Sequence, residues 1–176
     1  MTVFKEKSAL LIVDMVHDFV DPEGTLYVPA ARGIIGNIRE LAAQAREAGV
    51  PVIYVNDSHE PDDSEFEKWP PHSITGSAGS RIIPELEPRP GDHILGKKRY
   101  SAFFQTELDE LLKRLGVNHL VITGTVTNFC VFATALDAAM RGYDITVPRD
   151  GVAALSDEDQ EVALKQISQV AGAELV

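Results

Sequence analysis

Short β-branched runs alternate with longer stretches of helical spacing along this chain: SALLIVD at 8–14, PVIYVN at 51–56, NHLVITG at 118–124 and YDITV at 143–147. A near-continuous apolar run of this length reads as a strand buried on both faces. Parallel strands of that kind require crossover helices that cover both sides of the sheet. With further strands expected at 92–96 and 173–176, the pattern predicts an α/β fold of three layers, α/β/α, around a five- or six-stranded, mostly parallel sheet. Helices fit the intervals at 33–48 before Gly49, 102–115 between Ser101 and Gly116, 128–141 before Gly142, and 157–171 after Ser156. A chain of 176 residues is the size of one domain, so 1–176 is read as a single unit. The exception to the alternation is 57–91, rich in Pro, Gly, Ser and acidic residues, with at most one short helix near 79–86. A long irregular segment inside a compact domain is usually functional.

In open parallel sheets the ligand crevice lies beyond the carboxyl ends of the strands. That rule collects Asp14 after the first strand, Asp57 after the second, Lys97 and Lys98 after the third and Cys130 past the fourth. A cysteine at a helix start is nearest the positive end of the helix dipole, and a neighbouring lysine further favours its thiolate, so Cys130 is a candidate nucleophile. Its alternative is a small buried hydrophobe. Asp14 is a candidate proton acceptor or a turn former, while Asp18 and Asp21 read as turn or surface residues. Adjacent lysines on an extended segment point to opposite sides, so one of Lys97 and Lys98 reaches the crevice, and alternation does not say which.

In DSHEPDDSEFEKWPPH, Asp57 and His59 stand on one side of an extended backbone, with Glu65 and His72 following. Such a mixed nitrogen and oxygen set suits zinc, iron or manganese with positions left for water or substrate. Glu60, Asp62, Asp63 and Glu67 could contribute equally or be solvated.

A net charge of −11 disfavours nucleic acid and anionic membranes as partners, because both are held by clustered Lys and Arg. The N-terminal apolar run is interrupted by Asp14, too soon for a signal or membrane segment. Together with the single cysteine this points to the reducing cytoplasm.

LLIVDMVHDFV followed by EGTLYV, then DSH, WPPHSITGSAGS, KKRYSAFFQTELDELL and GTVTNFCVFATALDAAMRGYD together resemble the isochorismatase-like cysteine hydrolases, and within them the nicotinamidases. The resemblance implies an Asp, Lys and Cys triad at Asp14, Lys97 and Cys130, with Lys97 preferred as the lysine three before Tyr100. It also implies a cis peptide between Thr125 and Val126, and an oxyanion hole from the N–H groups of Val126 and Cys130. One divalent metal, zinc with iron or manganese as alternatives, would be held by Asp57, His59, His72 and, as in some relatives, Glu65. Phe19, Trp69 and Tyr100 would form an aromatic pocket for a small amide, with nicotinamide hydrolysed to nicotinate and ammonia through a thioester. Relatives of this kind form dimers or tetramers. Asn128 departs from the acidic residue usual in nicotinamidases two positions before the cysteine, which keeps another small amide or a ureide as the alternative substrate.

Overall fold

The computed structural model describes residues 3–176. Five strands form where the apolar runs stand: β1 (Ser8–Val13), β2 (Val52–Asp57), β3 (His93–Lys97), β4 (His119–Thr125) and β5 (Asp144–Val147). Two short strands of two residues, β6 (Val152–Ala153) and β7 (Glu174–Leu175), complete a seven-stranded sheet in the order β3-β2-β1-β4-β5-β7, with β6 paired to the end of β4. All of these pairings are parallel, with Leu10 opposite both Val52 and Val121. The direction of strand order reverses between β1 and β4, so the crevice of an open sheet falls at their carboxyl ends.

The helices are α1 (His17–Val20), α2 (Ala31–Glu47), α3 (Leu108–Arg114), α4 (Phe132–Met140) and α5 (Asp157–Ala171). Alternation along β1 assigns its residues to two cores. Ala9, Leu11 and Val13 pack with Leu108, Leu111 and Leu112 of α3, Ala135 of α4, and Leu164 and Ile167 of α5. Leu10 and Ile12 pack on the other face with Ile34, Ile35 and Ile38 of α2 and Phe19 of α1. A period of two in the strands therefore produces the three layers.

Several boundaries differ from the sequence expectation. β6 is too short to show a period, and α1 and a 3-10 turn at Ser64–Glu67 are single turns. The short helix expected near 79–86 is a 3-10 turn at Pro84–Leu86. α3 starts at Leu108 rather than 102, because the Ala102 N–H donates to Thr134 Oγ1 (3.0 Å) and the Phe103 N–H to Ser101 Oγ (3.1 Å). Those donors are engaged by side chains before a first helical turn can form. The helix expected at 128–141 is divided into a π turn, Thr127–Val131, and α4. α5 follows its cap signal: Ser156 Oγ accepts the Asp159 N–H at 3.1 Å. No helix among the described residues is long and apolar enough to cross a membrane.

Candidate active site

Three strand ends bring the triad candidates together. Asp14 directly follows β1 with φ at +53°, and its carbonyl accepts the Thr125 hydroxyl at 3.0 Å. A Cβ on Gly124 would lie 2.0 Å from the Val13 carbonyl oxygen, so only glycine lets the end of β4 approach β1 this closely. The chain then passes through a cis peptide, Thr125–Val126, into the π turn that carries Cys130. The Val126 N–H has no acceptor among the described residues.

Lys97 ends β3 opposite Asp57 of β2, and that register sends its ammonium inward. Lys97 Nζ lies 2.8 Å from Asp14 Oδ2 and 3.4 Å from Cys130 Sγ, and it also pairs with Asp57 Oδ1. The neighbouring Lys98 faces outward, 55% exposed and 3.6 Å from Glu60. Asp14 Oδ1 accepts the Asp57 N–H at 2.7 Å. The Asp14 and Asp57 carboxylates and the Cys130 sulfur each offer an atom within 4.8 Å of the others.

Burial governs the proton balance of this cluster. It pushes the Asp14 carboxyl up to about 6, with Asp57 adding to the rise and Lys97 opposing it. Burial draws Lys97 down, but Asp14 and Asp57 outweigh it and keep the lysine firmly cationic. Burial likewise pushes the Cys130 thiol well up; Lys97 opposes this, whereas Asp14 and Asp57 reinforce it. The sequence expectation of a lowered thiol is thus corrected: Cys130 is buried, 4% exposed, beside two carboxylates, and burial raises its thiol rather than lowering it.

Beside the triad, Asp57, His59 and His72 form a second buried cluster whose donor atoms lie within 4.8 Å of one another. The His59 and His72 Nε2 atoms stand 3.6 and 3.5 Å from Asp57 Oδ2. His72 Nδ1 is 2.8 Å from the Pro70 carbonyl and His59 Nδ1 is 3.0 Å from Asp63 Oδ2, so both rings turn Nε2 toward Asp57. Burial lowers both imidazoles, but the Asp57 carboxylate prevails and raises them. For Asp57 itself burial acts upward, and Lys97 with the two histidines holds the carboxyl well below the usual range. His59 Nε2 is buried with no hydrogen-bond partner, as a ligand atom awaiting a cation would be. Two imidazoles and a carboxylate fit a divalent transition metal. Glu65 is not drawn into this cluster; it lines the adjoining cavity and lies 3.7 Å from Arg99. Glu60, Asp62 and Glu67 are exposed, whereas Asp63 sits behind His59.

Cys130, Asp57 and His72 open onto a cavity of about 280 Å³. Phe19, Trp69 and Tyr100 line it, as do Phe129 and Leu155, which sequence reasoning did not single out. Trp69 meets Phe129 edge-on at 5.9 Å, and the Trp69 indole N–H and Lys68 Nζ both donate to the Tyr100 hydroxyl at 3.0 Å. Asp18 is also more than a turn residue. Its carboxylate accepts the Ser73 N–H at 2.7 Å, next to His72, and Gly79 packs so closely on it that a Cβ there would lie 2.1 Å away. Its spacing from Asp14 carries no hint of this, because the partner is 55 residues away.

The isochorismatase domain family matches residues 8–175. An N-carbamoylsarcosine amidase from Thermoplasma acidophilum superposes with a TM-score of 0.89 at 41% identity, covering 96% of this chain and 95% of that one. A pyrazinamidase/nicotinamidase from Streptococcus mutans UA159 gives 0.91 at 33%, covering 96% and 99%. A pyrazinamidase of Pyrococcus horikoshii in complex with zinc gives 0.90 at 31%, covering 97% and 98%.

Proposed function

The chain belongs to the isochorismatase family and is a hydrolase of amide C–N bonds; we propose that its substrate is nicotinamide, released as nicotinate and ammonia. The observation that carries this reading is the pairing of an Asp/His/His donor set with an aromatic cavity that ends on the cysteine. A flat heteroaromatic amide has both a ring for Phe19, Trp69 and Phe129 and a lone pair for a cation. No lysine or arginine lines the cavity among the described residues, and Asp57 and Glu65 add negative charge. That environment suits an uncharged ring better than a substrate bearing its own carboxylate.

Asp14, raised toward neutrality, takes the Cys130 proton as the sulfur attacks the amide carbon. The unengaged Val126 N–H and the Cys130 N–H serve as the oxyanion donors. Lys97 balances the negative charge that passes between sulfur and Asp14. Collapse of the tetrahedral adduct breaks the C–N bond, and Asp14 returns the proton to the departing ammonia. Asp14 then removes a proton from water, which attacks the thioester carbonyl through the same donors; the acid leaves and the thiol is restored. Asp57, His59 and His72 would hold a divalent metal, which when bound would supply a Lewis-acid anchor for an electron-pair donor of the substrate, with Glu65 lining the adjoining cavity.

A second reading is a ureide amidase, favoured by the 41% identity to the N-carbamoylsarcosine enzyme and by Asn128. An ammonia-release assay on nicotinamide, pyrazinamide and N-carbamoylsarcosine, with and without added zinc, iron or manganese, separates the two. Metal-dependent turnover of nicotinamide is expected. Release from N-carbamoylsarcosine alone would overturn the nicotinamide assignment.

A further inference from the structure

We propose that Asp63 is a positioning residue for the metal, fixing His59 as a ligand through Nε2. The inference rests on the metal reading above and concerns a side chain that the donor set does not include. Asp63 Oδ2 lies 3.0 Å from His59 Nδ1, and a carboxylate there requires that nitrogen to carry the proton. The other oxygen accepts the Glu65 N–H at 2.9 Å and Arg99 Nη1 at 3.0 Å. Arg99 Nη2 in turn donates to Ser64 Oγ at 3.1 Å. With both oxygens engaged and only 6% of its side chain exposed, the Asp63 carboxylate cannot rotate away from the ring.

The consequence falls on the opposite edge of the imidazole. In the neutral ring Nε2 is then the lone-pair nitrogen, 3.6 Å from Asp57 Oδ2 and buried without a hydrogen-bond partner. His72 turns its Nε2 the same way but is held by a different group, since its Nδ1 faces a neutral carbonyl, that of Pro70, at 2.8 Å. A charged acceptor behind the ring makes a histidine the stronger donor, and outer-shell partners of this kind change metal affinity by about 10- to 100-fold. Of the two imidazoles, His59 is therefore the one whose ligation depends on a carboxylate outside the donor set.

The test is zinc affinity of the 176-residue protein, stripped and then titrated in competition with a chromophoric chelator. Asp63→Ala is expected to weaken zinc binding about 10- to 100-fold. Asp63→Asn, which keeps the shape and the Glu65 contact if the alanine variant folds poorly, should fall between it and wild type, and Asp63→Glu should recover part of the loss. In zinc-loaded, ¹⁵N-labelled protein, the His59 Nδ1–H should exchange slowly in wild type and be lost from the spectrum in Asp63→Ala. Equal zinc affinity in wild type, Asp63→Ala and Asp63→Asn would overturn the positioning role and leave the metal reading standing. No zinc binding by wild type would overturn both.

Discussion

Lys97 and Lys98 are adjacent in sequence and opposite in circumstance. Lys97 is enclosed by Asp14, Asp57 and the Cys130 sulfur, while Lys98 reaches Glu60 at the surface. Removing the buried ammonium leaves two carboxylates without their counter-charge, a loss of about 3–5 kcal/mol in comparable buried pairs. Lys97→Met should accordingly lower kcat at least about a hundredfold and lower the melting temperature, whereas Lys98→Met should keep both within error. Equal effects of the two substitutions on ammonia release and thermal melts would contradict the assignment of Lys97. A second residue-scale prediction concerns His119, which opens β4 at the end of the parallel sheet opposite to the one that carries Asp57. Its ring is buried between Ser8 Oγ at 2.7 Å and Thr146 Oγ1 at 2.9 Å, and burial, with Lys5 adding to it, lowers its affinity for a proton. The folded state thus binds this proton less readily than the unfolded chain, so the contribution to stability is complete above about pH 6.5 and falls as pH drops below it. The loss is limited to about 1.4 kcal/mol per pH unit. Urea denaturation between pH 5 and 7.5 should show a shallower acid decline in His119→Gln than in wild type. The difference between the two isolates His119 from His59 and His72, whose carboxylate neighbours shift them the other way.

At the scale of elements, each helix is held by the face it buries. Ile38 of α2 is fully buried against the sheet, and Val162 of α5 is 52% exposed. Ile38→Ala should cost about 2–5 kcal/mol, and Val162→Ala no more than about 0.5 kcal/mol, both measurable by chemical denaturation. The same burial explains what could be read from the chain beforehand. β1, β2 and β4 are enclosed on both faces, so their sequences are nearly continuous apolar runs, and α5 announces its start at Ser156. β6 and the single-turn helices are shorter than any period, and the start of α3 depends on Thr134 of a later helix. The strand-end rule located Asp14, Asp57, Lys97 and Cys130, but not the contact of Asp57 with Lys97. That contact follows from the β2–β3 register, which aligns the two residues. Nothing in the sequence told Asp63 apart from Glu60, Asp62 and Glu67, or Asp18 from a turn residue, for a related reason. Among several acidic residues in polar loops, only three-dimensional packing distinguishes the two that brace His59 and the Ser73 amide.

Across the whole molecule, the segment that carries His59 and His72 of the proposed metal site is attached to the fold rather than built into it. Neither apolar cluster draws a residue from 58–81. That segment is secured to the fold by polar bonds instead, among them Ser58 N–H to the Lys97 carbonyl at 2.9 Å, Asp18 N–H to the Gly79 carbonyl at 3.0 Å and Ser73 N–H to the Asp18 carboxylate at 2.7 Å. Asp57, by contrast, terminates β2 and is paired with Lys97 at the end of β3. A cation bound there stabilises the native state only by its own binding term, about 2.7 kcal/mol at a hundredfold excess over Kd. Chelation should therefore abolish most ammonia release from nicotinamide while the far-UV circular dichroism is retained, with a melting temperature lowered by several degrees rather than lost. Added zinc should restore both activity and melting temperature. Global unfolding on chelation would mean that the Asp57, His59 and His72 cluster holds the fold together, and the two-sided apolar core could no longer be taken as its principal support.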